Sequence, residues 1–460
     1  MVDVPRRQGS SRIIAGDIRK AVFLLALPVL CEQALNFLVG YYDTYLSGRI
    51  DAQATEAVGL AAYFGWLASM LFAFVGVGTT ALVARHWGAG EYHEANVVMN
   101  RSIALSALMG GAAYVAIYLG SPLAAGLLDL SDEARAVVVR YIRLDSIGHF
   151  FTSVALIGAA ALRGAGHMRA PLGVLGLVSV LNMIVSGTLV FGLGPIPPIG
   201  IDGILIGTVV ARFGGGVLML ALLLHGFGGL RISRAELRFG GETSRRIVRI
   251  GAPAALDGGV MWFGQFLFLM VVARVSGDLP ESVTMAAHMV GIRVEAITYL
   301  PAVAWGAATA TIVGQSLGAG VPERARQATR EAVLQCGLLA LVISVIFYAG
   351  AEWIFASMHR DPQVGAEGVP AFRLLSFFQI PLVVSIICVQ ALRGAGDSRF
   401  PMWVTVFGVI GIRVPVAYLF GIVWDGGLWG AWVGMCADIV ARAIVLGIRI
   451  RQSEWLSVRV

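Results

Sequence analysis

Charge is what this chain of 460 residues has least of: 13% of it is Asp, Glu, Lys or Arg, against 57% hydrophobic residues. Together with a mean hydropathy of +0.79, this leaves too little polar surface to cover a globule in water and points to a membrane protein. Cysteine is scarce as well. Cys31, Cys336, Cys388 and Cys436 lie inside apolar stretches without metal-ligand spacing and read as buried free thiols. The seven histidines are scattered singly, and no HExxH, P-loop, dinucleotide fingerprint or Ser/His/Asp spacing stands out, so neither an enzyme nor a bound cofactor is expected. The opening MVDVPRRQGSSRIIAGDIRK lacks the apolar core and small-residue cleavage site of a signal peptide, so the first hydrophobic run is expected to stay as a membrane span. The net charge of +6 is spread between apolar runs instead of clustering, which argues against a nucleic-acid partner and marks the basic residues as orienting charges.

What the chain does contain is a copy of itself. ALRGAGHMRAP (Ala161 to Pro171) returns as ALRGAGDSRFP (Ala391 to Pro401), and the same offset links Arg143 to Arg373 and TTALVARHWGAG (Thr79 to Gly90) to TATIVGQSLGAG (Thr309 to Gly320). A slightly shorter offset links Pro28 and Glu32 to Pro253 and Asp257. Two halves meeting near residue 235 follow from these matches.

Crossing a hydrocarbon layer takes about 20 apolar residues. By that measure the first half has spans near 21–47, 57–84, 102–120, 137–161, 171–193 and 203–225, and the second near 248–275, 284–313, 331–350, 369–392, 401–424 and 428–448. The expected fold is an all-α membrane protein with twelve transmembrane helices in two six-helix lobes. An even number of spans per repeat returns the chain to its starting side, so the lobes are related by a pseudo-twofold along the membrane normal. Basic residues concentrate in the tails and even-numbered loops; the odd-numbered loops offer little beyond Arg49, Arg135, Arg274 and Arg360, so both termini are expected in the cytoplasm. The expected division is an N-terminal tail over 1–20, an N-lobe over 21–225, a cytoplasmic linker over 226–246, a C-lobe over 247–450 and a C-terminal tail over 451–460.

An ionisable group at the centre of a span costs about 2.5–3.5 kcal/mol, so those that survive face a cavity or a partner. Glu32 falls near the midplane of the first span, and Asp43 near its outer end, where it reads equally as an interfacial carboxylate. Asn182 reads as an interhelical hydrogen bond, and Tyr141, among Arg140, Arg143 and Asp145, as part of a boundary salt-bridge network. In the second half the intramembrane acids are Asp257, Glu295 and Asp438. Asp438 and Arg442, one turn apart, make a plausible local pair, whereas Glu295 and Arg293 point to different helix faces and leave Glu295 the better candidate. Pro28, Pro253, Pro301 and Pro415 permit kinks.

These residues resemble the multidrug and toxic compound extrusion (MATE) transporters. The resemblance is carried by DTYLSGR, ALVARHWGAGEYHEA, ALRGAGHMRAP, IGAPAALD, AAHMVGIRVEAITYLP, VGQSLGAGVPERARQA and ALRGAGDSRFP, which together cover nearly the whole chain in order. It implies two lobes around a central cleft in a bacterial inner membrane, working as a monomer that exports hydrophobic or cationic drugs by alternating access, in exchange for H⁺ or Na⁺. The resemblance implies Asp43 as the cation or proton site, with Tyr141, Asn182 and Thr208 as polar partners; Asp43 and Asn182 would hold Na⁺ if that is the ion. Ser186 departs from the pattern, because many prokaryotic relatives place an Asp or Asn there. Glu295 fits an RIE-like motif and, with Glu32 and Asp257, is a candidate for binding substrate. The alternative is a lipid-linked saccharide flippase of the same broad superfamily, which would carry more cationic residues in its cleft than the mostly acidic candidates here. Under the repeat offsets Asp43 falls opposite Phe268 and Asn182 opposite Ile412, so the ion site is expected to have no twin.

Overall fold

In hydrocarbon every backbone N–H and C=O must be satisfied within its own segment, and apolar runs of this length do so as helices. The structure, a computed structural model, describes residues 16–126, 132–192, 197–275 and 280–458. Its helices are α1 (Ile18–Gly48), α2 (Ala52–Ala89), α3 (Tyr92–Gly126), α4 (Asp132–Gly164), α5 (Arg169–Phe191), α6 (Ile201–Leu224), α7 (Gly241–Val272), α8 (Glu281–Gly318), α9 (Pro322–Met358), α10 (Pro362–Ser376), α11 (Gln379–Ala395), α12 (Arg399–Val423) and α13 (Gly427–Arg451). Eleven of these are long and apolar enough to cross a membrane, and α10 with α11 makes a twelfth span bent by 57°. The expected single span at 369–392 is therefore a broken one, interrupted at Phe377 and Phe378. Pro28, Pro253 and Pro301 lie inside uninterrupted helices. Pro415 sits in α12 between two π-helical stretches, Phe407–Arg413 and Leu419–Val423.

The chain divides into two compact units. Cys31–Gly251 make one, and Ala252–Val460 with the segment ending at Leu30 make the other. In the first unit α2 and α3 pack on α4, and α6 packs on α4 and α5. Its core gathers Phe72, Val138, Ile142 and Leu205. The connection expected as a linker is bound to this unit over its first half. Asn96 donates to Gly229 O at 2.9 Å and accepts from Arg231 N at 2.7 Å, while Asn100 donates to Arg231 O at 3.1 Å and accepts from Ser233 N at 2.8 Å. In the second unit α8 packs on α9 and α11, and α13 packs on α11 and α12, around Phe268, Phe372 and Trp432.

The duplicated motifs build the same devices in both units. Gly166 and Gly396, the last residues of the two ALRGAG copies, stop α4 and α11 in the left-handed region at φ 88 and 92. Their N–H groups bond to Arg163 O and Arg393 O at 2.8 and 2.9 Å, a glycine C-cap that a side chain would strain. Arg143 lies 4.8 Å over the Tyr118 ring and Arg373 lies 5.6 Å over Tyr348, at matching positions. The arginines inside the motif each hold the acid that the shorter offset had matched: Arg163 Nη1 reaches both oxygens of Glu32 at 2.9 Å, and Arg393 Nη2 reaches Asp257 Oδ2 at 2.6 Å.

Candidate functional site

Among the described residues, each unit holds a polar cavity between its apolar helices. In the first unit a cavity of about 210 Å³ is lined by Asn36 and Asp43 from α1, Asn182 from α5, and Thr208 and Arg212 from α6. Asp43 is half-buried, and its Oδ1 is a buried atom without a hydrogen-bond donor. Asn182 donates through Nδ2 to Thr208 Oγ1 at 3.1 Å, and its own Oδ1 is likewise unpartnered. Arg212 is already engaged: its Nη1 donates to Asp145 Oδ1 at 2.7 Å. His149 Nε2 lies 3.3 Å from the other Asp145 oxygen without the alignment of a hydrogen bond. The cluster holds two carboxylates, Asp43 and Asp145, near the guanidinium of Arg212, with the His149 ring beside Asp145. Asp145 already faces Arg212 and His149, so Asp43 is the carboxylate whose charge a bound cation or a proton would neutralise in this low-dielectric setting. The unpartnered oxygens of Asp43 and Asn182 fit either ion.

In the second unit a cavity of about 390 Å³ is lined by three arginines, Arg393, Arg413 and Arg442, and two acids, Asp257 and Glu295, with Gln265 and Gln390 beside them. Behind its wall Asp438, fully buried, receives Arg413 at 2.7 Å and Arg442 at 2.8 Å. The expected local pair of Asp438 with Arg442 is present, and Arg413 joins it. Gly408 makes this possible, because a Cβ there would collide with Asp438 Oδ1. The first π-helical stretch of α12 ends at Arg413 itself, a local widening often found where a helix presents a functional side chain. Phe268, which the repeat offset sets opposite Asp43, is fully buried with its ring 5.7 Å from His288, so this unit has an apolar contact in place of the carboxylate.

Of the sequence-derived candidates, Asp43, Asn182 and Thr208 come together at one cavity, and Glu295 and Asp257 at the other. Tyr141 is buried in the apolar core with Phe72 and Leu205, within the electrostatic reach of Asp43 and Asp145. Ser186 is fully buried, with its hydroxyl against the backbone at Gly207 of α6, and is not part of the cavity lining. Glu32 is consumed by its ion pair with Arg163. The expected network of Arg140, Arg143 and Asp145 is dispersed: Arg140 pairs with Asp202 at 2.8 Å, Arg143 covers Tyr118, and Asp145 holds Arg212. The expectation of mostly acidic candidates also fails in the second unit, because Arg393, Arg413 and Arg442 line its cavity. Sequence reasoning missed Arg212 and Arg413 altogether. The signal available for Arg212 was the repeat, since Thr208 and Arg212 occupy the positions of Asp438 and Arg442.

Comparison with known proteins bears on the family and the fold. The MatE family model matches residues 28–188 and 253–419, one stretch in each repeat. The chain is 27% identical over 450 residues to the probable multidrug resistance protein NorM of Thermotoga maritima, covering 95% of this chain and 93% of that one. It is 26% identical over 451 residues to the multidrug resistance protein PmpM of Pseudomonas aeruginosa, covering 96% and 92%. Among solved structures it resembles a MATE protein in its bent conformation, with a TM-score of 0.89 at 21% identity over 97% of each chain. It also resembles a MOP superfamily transporter of Pyrococcus furiosus, described as having a binding pocket of reverse polarity that suggests a different function, with a TM-score of 0.87 at 21% identity over 97% of each chain. At these identities the structural likeness carries the fold.

Proposed function

Because this chain belongs to the MATE family, whose model matches both of its repeats, we propose that it exports amphiphilic organic compounds across a bacterial inner membrane in exchange for H⁺ or Na⁺. The family and the two-lobed helical fold make it a multi-pass membrane transporter. The ion exchange, the residues that perform it and a cytoplasmic position for both termini are our reading. One observation carries it: Asp43 lines the first-unit cavity with its Oδ1 left without a donor, while Arg212 beside it is already paired with Asp145.

The mechanism follows from that arrangement. Asp145 is committed to Arg212, so the exchangeable charge resides at Asp43, and Asn182 and Thr208 present their dipoles to whichever ion arrives. Asp145 supplies the second carboxylate that Ser186 does not. Binding of H⁺ or Na⁺ neutralises the charge of Asp43 and lets α1, α5 and α6 pack without it, and release restores it. Coupling requires that the two packings differ in affinity for the exported compound, since a site binding equally well in both would shift nothing. Hydrophobic or cationic compounds would be taken up in the second-unit cavity, where Glu295 and Asp257 are the acids. The arginines of that cavity are the observation that favours the second reading, a flippase for lipid-linked saccharides.

Expression in a bacterium lacking its own drug pumps tests the proposal. The chain should raise resistance to cationic dyes, and Asp43→Asn should abolish that resistance at an unchanged membrane level of folded protein. Resistance equal to the wild type in Asp43→Asn would remove the ion site from Asp43.

A further inference from the structure

The second-unit cavity carries, beside the acids offered to cations, a group of arginines that cation binding does not use. Two guanidiniums converge on one carboxylate. Arg413 donates to Asp438 Oδ2 through Nε and Nη2 at 3.0 and 2.7 Å and to Gln265 Oε1 at 3.2 Å, while Arg442 donates to the two Asp438 oxygens at 2.8 and 2.9 Å. Asp438 balances one of them and leaves a full positive charge at the cavity wall. Nearby, Asp257 and Arg393 are closed on each other at 2.6 Å and contribute nothing to the balance. The remaining anion is Glu295 on α8. It lines the same cavity, lies in the field of both Arg413 and Arg442, and makes no hydrogen bond or ion pair with any described residue. Asp438 occupies the Nε and Nη2 groups of both guanidiniums, and Arg442 Nη1 reaches Met261 Sδ at 3.7 Å, so a carboxylate held near them but touching neither compensates the remaining charge at a distance and leaves the Nη1 sides to a ligand.

We propose that the Arg413–Arg442 pair is a recognition site for the carboxylate, sulfonate or phosphate of an amphiphilic ligand, with Glu295 as the internal counter-charge that the ligand's anion displaces. Guanidiniums are planar forks matched to such oxyanions, and a ligand oxygen in contact gains more from them than a carboxylate held off. The apolar side chains Met261, Ile292, Leu382 and Ile439 supply the wall for the ligand's body. A volume of about 390 Å³ suits a drug-sized solute or a lipid headgroup with the start of its chains. The exported substrate class rests on the export reading, whereas the binding site can be measured without transport.

The test uses purified full-length protein in phosphatidylcholine nanodiscs, titrated with 1-pyrenebutyrate and with pyrenebutyl-trimethylammonium, which share an apolar body and differ in charge. Glu295→Gln removes the competing carboxylate, so pyrenebutyrate should bind about tenfold more tightly, equivalent to about 1.4 kcal/mol, while the ammonium probe should gain nothing. Arg442→Gln, which leaves Asp438 paired with Arg413, should weaken pyrenebutyrate at least as much. If that variant does not fold, Arg442→Lys, which keeps the charge without the fork, should show a smaller loss in the same direction. Replacing half the lipid by phosphatidylglycerol separates the sources: competition with pyrenebutyrate identifies a lipid phosphate as the occupant, and indifference identifies a soluble amphiphile. Unchanged or weaker pyrenebutyrate binding in Glu295→Gln overturns the proposal and makes Glu295 a cation contact. Loss of gradient-driven transport with these affinities intact would count against the export reading alone.

Discussion

Removing one partner of a duplicated ion pair tests whether the repeat arginine stabilises its own lobe. Asp257 Oδ2 and Arg393 Nη2 are 2.6 Å apart, and their side chains are 11% and 15% exposed, so water screens the pair little. Two unit charges about 4 Å apart attract by about 4 kcal/mol at an effective dielectric of about 20. Stripping one partner from a buried pair costs about 3–5 kcal/mol, chiefly because the other charge stays buried alone. Asp257 Oδ1 is already a buried acceptor without a donor, so the pair is not fully satisfied and the lower end, about 3 kcal/mol, is the expectation for Asp257→Asn and for Arg393→Met alike. The double variant buries neither charge and should cost no more than one single, giving a coupling of about 3 kcal/mol. Unfolding of the four proteins in mixed micelles, followed by tryptophan fluorescence, measures the cycle. Additivity of the two singles to within about 0.5 kcal/mol would refute the reasoning. The same cycle at Glu32 and Arg163 should give a coupling of the same sign.

Gly408→Ala should cost about 1–3 kcal/mol or more, as overpacking does, because its methyl meets Asp438 between two arginines; a thermal unfolding midpoint equal to the wild type would contradict the close approach of α12 and α13. Asn100→Ala should free the backbone at Arg231 and Ser233, and hydrogen exchange across that stretch should accelerate while α3 itself is unaffected. His167 lies outside the spans beside Trp87 and Phe227, and its Nε2–H donates to Gly228 O at 3.2 Å. Burial pushes its pKa below the ordinary histidine value, against the opposing pull of that carbonyl. Folding therefore favours the neutral ring, its contribution is present above the unfolded value of about 6.5, and it is lost as pH falls below that. The protection factor of the backbone around Gly228, taken relative to the intrinsic exchange rate at each pH, should fall on acidification in the wild type and lose this dependence in His167→Gln.

Much of the architecture was written in local pattern. Apolar runs marked the spans because a bilayer admits little besides helices, and the repeated ALRGAG marked the two copies because its last glycine has to turn a helix end in each. The bend between α10 and α11 was not legible, since Phe377 and Phe378 continue the apolar run unbroken. The ion pairs of Glu32 and Asp257 were half legible: both acids and both arginines had been matched across the repeat, but only packing shows that the matched acid faces the matched arginine. The charge balance of the cavities lay beyond sequence reasoning, because it depends on residues far apart in the chain, Asp145 with Arg212 and Arg413 with Asp438. Counting acids alone suggested an acid-lined interior suited to cations. The geometry instead leaves a carboxylate oxygen without a donor in one cavity and, without Glu295, a surplus of positive charge in the other.

Gradient-driven transport in proteoliposomes bears most directly on the claim that Asp43 carries the exchanged ion. A fluorescent cation is loaded under a pH gradient or a Na⁺ gradient imposed separately, with wild type and Asp43→Asn at equal protein density and the binding of the same dye measured beside it. The account predicts that at least one gradient drives the wild type, that neither drives Asp43→Asn, and that the variant still binds the dye. Gradient-driven transport by Asp43→Asn at the wild-type rate would contradict it.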